Sequence, residues 1–183
     1  FDHDFDFMNE WAAFGVDSPE ITSTGRAINA HSIGPAILWA PFLLIAHLYV
    51  RAAGALGLGE YAPTGYSAPY LLSTAAGTGT AVAAGVVALW RTCVGGYSRG
   101  GGTVAVLLGL LTSTLPYYAF VVPSVAHGPV FAASALFLAG WVKVEPDPSL
   151  KGWIALAALL GVVSLFRWQT VVLGLMFVPL STS

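Results

Sequence analysis

Apolar residues run through this chain in long blocks separated by short polar breaks. Pro69 to Trp90, Thr103 to Val122, Gly128 to Val142 and Leu150 to Phe166 are blocks with almost no ionisable side chain inside them, and Trp168 to Leu180 begins another. A helix needs roughly 20 predominantly apolar residues to cross the hydrocarbon layer of a bilayer, and blocks of this kind are rare in soluble cores. Ile33 to Val50 is also apolar, but it carries Pro35, Pro41 and His47. At about 18 residues it stands at the lower limit for a span, and its two proline-bearing turns favour an interfacial or re-entrant helix.

The pattern predicts an all-α fold, a polytopic transmembrane helical bundle. Residues 1–32 read as an acidic aqueous loop, residues 33–68 as a juxtamembrane or re-entrant helix with its linker, and residues 69–183 as transmembrane helices at about 69–90, 103–122, 128–142, 150–166 and 168–180. The small residues of the first of these, among them Gly77, Ala84 and Gly85, suit close approach of a neighbouring helix. No repeat of solenoid or propeller period is present.

Composition strengthens this reading. Charged residues are 9% of the chain and hydrophobic residues 56%, with a mean hydropathy of +0.76, against roughly 25% charged in an average soluble domain. A soluble fold could not cover its surface with so few charges. The net charge of −2 and the lack of a lysine or arginine run exclude a nucleic-acid footprint. The single Cys93 has no partner for an internal disulfide and reads as a small apolar residue near a helix end. The first residue is Phe1, with no basic stretch leading into an apolar signal segment, and the final apolar run stops at Ser181-Thr182-Ser183. A preceding span and a continuation of the last one are therefore expected, and the 183-residue piece alone is expected to be inactive.

Lysine and arginine counts address orientation. If residues 33–50 do not cross, Arg91, Arg99, Lys143 and Lys151 face Arg26, Arg51 and Arg167 across the membrane, and the acidic segment lies outside with Arg167 and His127. If they do cross, Arg26 joins the first group. Proline content favours the non-crossing arrangement.

Four features bear on chemistry. Asp2, Asp4 and Asp6 alternate, which puts them on one face of an extended segment, with His3, Asn9 and Glu10 nearby. Carboxylates this close repel unless balanced by protons or cations. The cluster therefore suits a general base for a hydroxyl, or oxygen ligands for a divalent metal, or simply a solvated acidic loop. Arg167 stands between two apolar blocks, where a cation needs a polar cavity, a partner or an interface; its planar donor fork suits phosphate, while snorkelling to headgroups beside Trp168 is the plainer use. Gln169 beside it points to a wet environment. His127, in the turn after Pro123, is placed to bind phosphate or relay a proton if it is not merely solvated. Tyr117 and Tyr118 read as interfacial aromatic anchors, and Gly100-Gly101-Gly102 lacks a Walker lysine and reads as a flexible loop.

Taken together, four stretches resemble the C-type membrane glycosyltransferases that use polyprenyl-phosphate-linked sugars, the group that includes the protein mannosyltransferases of glycosyltransferase family 39. Asp4-Phe5-Asp6-Phe7-Met8-Asn9-Glu10 looks like their acidic external-loop motif, and Ile33-Gly34-Pro35-Ala36-Ile37-Leu38-Trp39-Ala40-Pro41-Phe42 like the apolar segment after it. Pro123-Ser124-Val125-Ala126-His127 resembles a later external turn, and Phe166-Arg167-Trp168-Gln169 a membrane-boundary arginine motif. The likeness runs to about Pro179. It departs at His3, where a small residue is expected, and at Thr170, where an amide is expected. The choice between Asp4 and Asp6 stays open.

The resemblance implies a multi-pass protein of a bacterial or archaeal plasma membrane, with surface-packed juxtamembrane helices in the first external loop. It implies inverting transfer of a sugar from a lipid-phosphate donor, with Asp4 or Asp6 as base, Asn9, Glu10, His127, Arg167 and Gln169 around the substrates, and a divalent metal left open. The expected partners are the polyprenyl-phosphate sugar and membrane lipid, not nucleic acid. A transporter or flippase, or a non-catalytic scaffold, would make other use of the same composition; the collection of charges at block ends rather than at mid-membrane favours the enzyme.

Overall fold

A computed structural model describes residues 20–26, 32–59, 61–147 and 149–177. Two units divide the chain, Phe1–His31 and Ser32–Ser183. Of the first, the described part is a turn in which the Gly25 N–H donates to the Thr22 carbonyl at 2.9 Å. Gly25 adopts φ 81°, a left-handed conformation that favours glycine.

The second unit is all-α among its described residues. Its helices are α1 (Ile33–Ala55), α2 (Ala68–Gly96), α3 (Arg99–Thr112), α4 (Leu115–Phe120), α5 (His127–Val144) and α6 (Leu150–Phe166), followed by a 3-10 segment, Trp168–Phe177. Three of them, α1, α2 and α5, are long and apolar enough to cross a membrane. Local signals set many ends. Pro69 opens α2, where its missing N–H costs nothing. The Ser98 and Ser149 hydroxyls accept from the N–H groups of Gly101 and Gly152, both at 3.1 Å, and so cap α3 and α6.

Four segments differ from the sequence expectation, the shortest being Gly100-Gly101-Gly102, which lies in the first turn of α3 rather than in a loop because Ser98 caps the helix ahead of it. Ile33–Ala55 is one unbroken helix of 23 residues despite Pro41 in its interior; packing along α2 and α6 offsets the hydrogen bond that proline removes. The block 103–122 is two helices. Thr112 and Ser113 turn their hydroxyls onto the Leu108 and Leu110 carbonyls, at 2.7 and 3.0 Å, and Pro116 opens the next helix. After Arg167 the chain continues as a 3-10 segment rather than an α-helix, tied down where the Thr170 hydroxyl donates to the Arg167 carbonyl at 2.6 Å.

Contacts along α2 show two stacked layers. Its N-terminal part runs antiparallel to α1: the Tyr70 hydroxyl meets His47 Nδ1 at 2.7 Å, and Gly77 lies under the rings of Trp39 and Phe42. From Thr78, which still bonds Trp39 of α1, onward α5 and α3 pack closely against α2. Gly128 abuts Thr78, Gly85 abuts Ala132, and Gly102 abuts the backbone of Cys93. α6 returns antiparallel to α5, with Gly152 against Val144 and Gly140 against Leu156. The 3-10 segment then folds back so that Phe177 reaches Trp141 and Trp153, with ring centroids 5.3 and 5.2 Å apart. A core of Ala133, Phe137, Trp141, Leu156 and Val163 fills this second layer.

At 29 residues, α2 is about 43 Å long, whereas a hydrocarbon core is about 30 Å thick. The part from Thr78 to Gly96 is about 28 Å, which matches α5 at 18 residues, or about 27 Å. α1 overlaps this layer only near its own N-terminus, where Gly34 meets Leu165 and Phe166.

Candidate functional site

The end of the second layer nearest α1 collects three turns: the α4–α5 connection at Pro123–Ala126, the start of α5, and the end of α6. His127 is the first residue of α5 and Arg167 caps α6. Arg167 has extended backbone (φ −160°, ψ 118°), so the helix stops there and the side chain leaves the α6 axis. Its Nη1 approaches His127 Nδ1 at 3.3 Å across 40 residues of sequence.

Arginine has donors only, so Nδ1 of His127 accepts in this pair, and the ring is the neutral tautomer with its remaining N–H on Nε2. The Tyr118 ring stacks on the imidazole, with centroids 4.1 Å apart and an angle of 27° between planes. His127 is half-buried and Arg167 is exposed. The pair thus offers a permanent cation and, one hydrogen bond away, a fixed neutral N–H donor.

Tyr118 and His127 also border a cavity of about 420 Å³ between α2, α3, α4 and α5. Its wall is apolar, with Leu89, Cys93, Val106, Leu110 and Phe131 among its residues, and its volume is that of a small-molecule site. Gly109 lies on this wall, and a Cβ built there would meet nothing within 4 Å.

Two polar links hold the turns. The Thr78 side chain is fully buried; its hydroxyl accepts from Trp39 Nε1 at 3.0 Å and donates to the Pro123 carbonyl at 2.7 Å. The Ser32 hydroxyl donates to the carbonyl of Phe166, next to Arg167.

Of the residues singled out from sequence, His127 and Arg167 are brought together. Gln169 is exposed on the 3-10 segment, and its side chain makes no hydrogen bond among the described residues. Asp4, Asp6, Asn9 and Glu10, with Asp2 and His3, lie outside the described residues, and so does the candidate metal cluster they form. Among the described residues no group of three His, Cys, Asp or Glu side chains could hold a metal ion. Sequence reasoning assigned Tyr118 to an interfacial belt and gave Thr78 and Trp39 no role at the site. A tyrosine nine positions before a histidine is a usable signal once a proline-bearing turn separates them; a buried threonine in a Gly- and Ala-rich helix gives none.

The described residues of the second unit form an all-α fold with three membrane-length apolar helices, in which a histidine paired with an arginine lines an apolar cavity. No family model, no curated protein and no solved structure matches the chain.

Proposed function

We propose that this is a polytopic integral membrane glycosyltransferase that moves a sugar from a polyprenyl-phosphate donor to an acceptor on the extracytoplasmic face. The observation that carries the reading is that His127, within 3.3 Å of the Arg167 guanidinium, lines the apolar cavity. An anionic head with a long apolar tail is the ligand chemistry that such a site complements: in this reading the guanidinium and the Nε2–H would hold the phosphate, and the tail would enter the cavity between α2, α3, α4 and α5.

The reaction breaks the bond between the anomeric carbon and the phosphate oxygen. The electron pair stays on the phosphate, where Arg167 stabilises the charge that develops and His127 donates one hydrogen bond. The acceptor oxygen forms the new bond from the opposite face and gives its proton to a carboxylate, the role that the sequence resemblance implies for Asp4 or Asp6. Arg91, Arg99, Lys143 and Lys151 cluster toward the other end of the second layer, where α2 and α5 finish and α3 and α6 start. With Arg26, Arg51 and Arg167 on the pair's side the count is four against three, so the outside placement of the pair rests on the non-crossing reading of residues 33–50.

The test is transfer from radiolabelled polyprenyl-phosphate sugars by the full-length protein that carries this sequence, in membranes, at matched expression. Arg167→Ala and one of Asp4→Asn or Asp6→Asn are expected to lower transfer at least a hundredfold. Gly109→Phe, which fills the cavity without meeting a neighbour at its Cβ, is expected to raise the donor KM with less effect on kcat. Full activity in all four variants, or none in the wild type with any donor, overturns the reading and makes transport the next assay.

A further inference from the structure

Both halves of the candidate site rest on one element that does not itself belong to it. On one side, the α6 helix ends at Phe166, and its last carbonyls have no partner within the helix. Ser32 supplies one by donating its hydroxyl to the Phe166 carbonyl, and Gly34 lies so close to the Leu165 and Phe166 backbone that a Cβ would come within 2.7 Å. This fixes where the chain turns into Arg167. On the other side, Trp39 donates to Thr78, and Thr78 donates to the Pro123 carbonyl in the turn that leads to His127. Gly128, next to His127, lies against the Thr78 methyl so tightly that a Cβ would come within 2.6 Å of it. Ser32, Gly34 and Trp39 all belong to the first two turns of α1 or its cap.

We propose that the N-terminal end of α1 is a clamp that sets the separation of His127 and Arg167, with Ser32 and Gly34 positioning the arginine and Trp39, acting through Thr78, positioning the histidine. These are positioning residues: none of them touches the pair. The alternative is that each contact serves local packing only, so that losing one changes stability but leaves the pair as it is. The two differ in what a hydroxyl deletion does to the imidazole. Thr78→Val keeps the shape and removes both hydrogen bonds; Thr78→Ser keeps the hydroxyl.

The experiment is nitrogen-15 NMR of histidine-labelled protein in micelles, with the His127 signals assigned by loss in His127→Asn. Arg167→Ala gives the reference shifts of an imidazole without its arginine. Thr78→Val and Ser32→Ala are expected to move the Nδ1 signal at least halfway to that reference, and Thr78→Ser is expected to stay at the wild-type value. If Thr78→Val does not fold, Trp39→Phe carries that arm. Wild-type shifts in Ser32→Ala and in whichever of Thr78→Val or Trp39→Phe folds overturn the clamp, as does an Arg167→Ala spectrum identical to wild type.

Binding of farnesyl phosphate, with farnesol and inorganic phosphate as separate arms, extends the test and rests on the proposed function. Thr78→Val is expected to weaken farnesyl phosphate about tenfold and to leave farnesol unchanged. Wild-type protein that binds no farnesyl phosphate overturns the donor assignment, while the nitrogen signals still decide the clamp.

Discussion

Residues 68–77 of α2 meet α1 largely across aromatic rings, while residues 78–96 meet α5 and α3 through glycine. In the first stretch Tyr70 is nearly fully buried against Ala46 and Val50, and Gly77 faces the edges of Trp39 and Phe42 at 3.0 and 3.1 Å from a built Cβ. In the second, a Cβ on Gly85 would come within 2.8 Å of the Ala132 Cα, and one on Gly102 within 2.9 Å of the Cys93 backbone. Rings can tilt to accommodate a methyl group, whereas backbone cannot. The α2–α5 and α2–α3 seams are therefore held at fixed distances, while the α1–α2 seam at Gly77 is the adjustable one; α1 is fixed instead at its N-terminal end, where Gly34 meets the Leu165 and Phe166 backbone and Trp39 bonds Thr78.

The largest effect that would sharpen this contrast is expected in the core of the second layer. Phe137 is fully buried, with its ring 6.4 Å from Trp141 and 6.2 Å from Phe177. Phe137→Ala should cost about 3–5 kcal/mol, read as a lower melting temperature in detergent. Gly85→Ala comes next, at about 1–3 kcal/mol, because the new methyl meets backbone. Gly77→Ala should be smaller, within about 1 kcal/mol, since the rings yield and alanine favours the helix. Equal losses at Gly77 and Gly85 would end the distinction between a rigid and an adjustable seam.

The smallest perturbation tests the stacking itself. Nitroxide labels at Ile45 on α1 and Leu108 on α3, both exposed positions, report depth through quenching by oxygen and by a polar reagent. Leu108 is expected to be the deeper. A label at Ile45 equally shielded from the polar reagent would mean that α1 shares the bilayer slab, as its 23-residue length alone suggests, and the non-crossing arrangement would be lost.

Length and register disagree about α1, and the disagreement shows where sequence reasoning stops. Hydropathy marks it as apolar, and its proline content marks it as unlike the others, but its position follows from Trp39 meeting Thr78 rather than a residue further along α2. At the site, Arg167 and His127 were legible because a cation or an imidazole among apolar neighbours demands a partner. Their partnership was not, nor was the stacking of Tyr118, since nothing local to either residue encodes a contact 40 positions away.

The sequence by itself determined the helical, membrane-suited character of the chain, most of the breaks between helices and the isolated His127 and Arg167, because apolar blocks, caps, prolines and isolated charges act over one or two turns. Tertiary structure alone decided the stacking of α1 beneath the second layer, the cavity, and the meeting of His127 with Arg167. Those depend on the register at which helices touch, and that register is set by which glycines allow two backbones to approach and which buried hydroxyls bridge them.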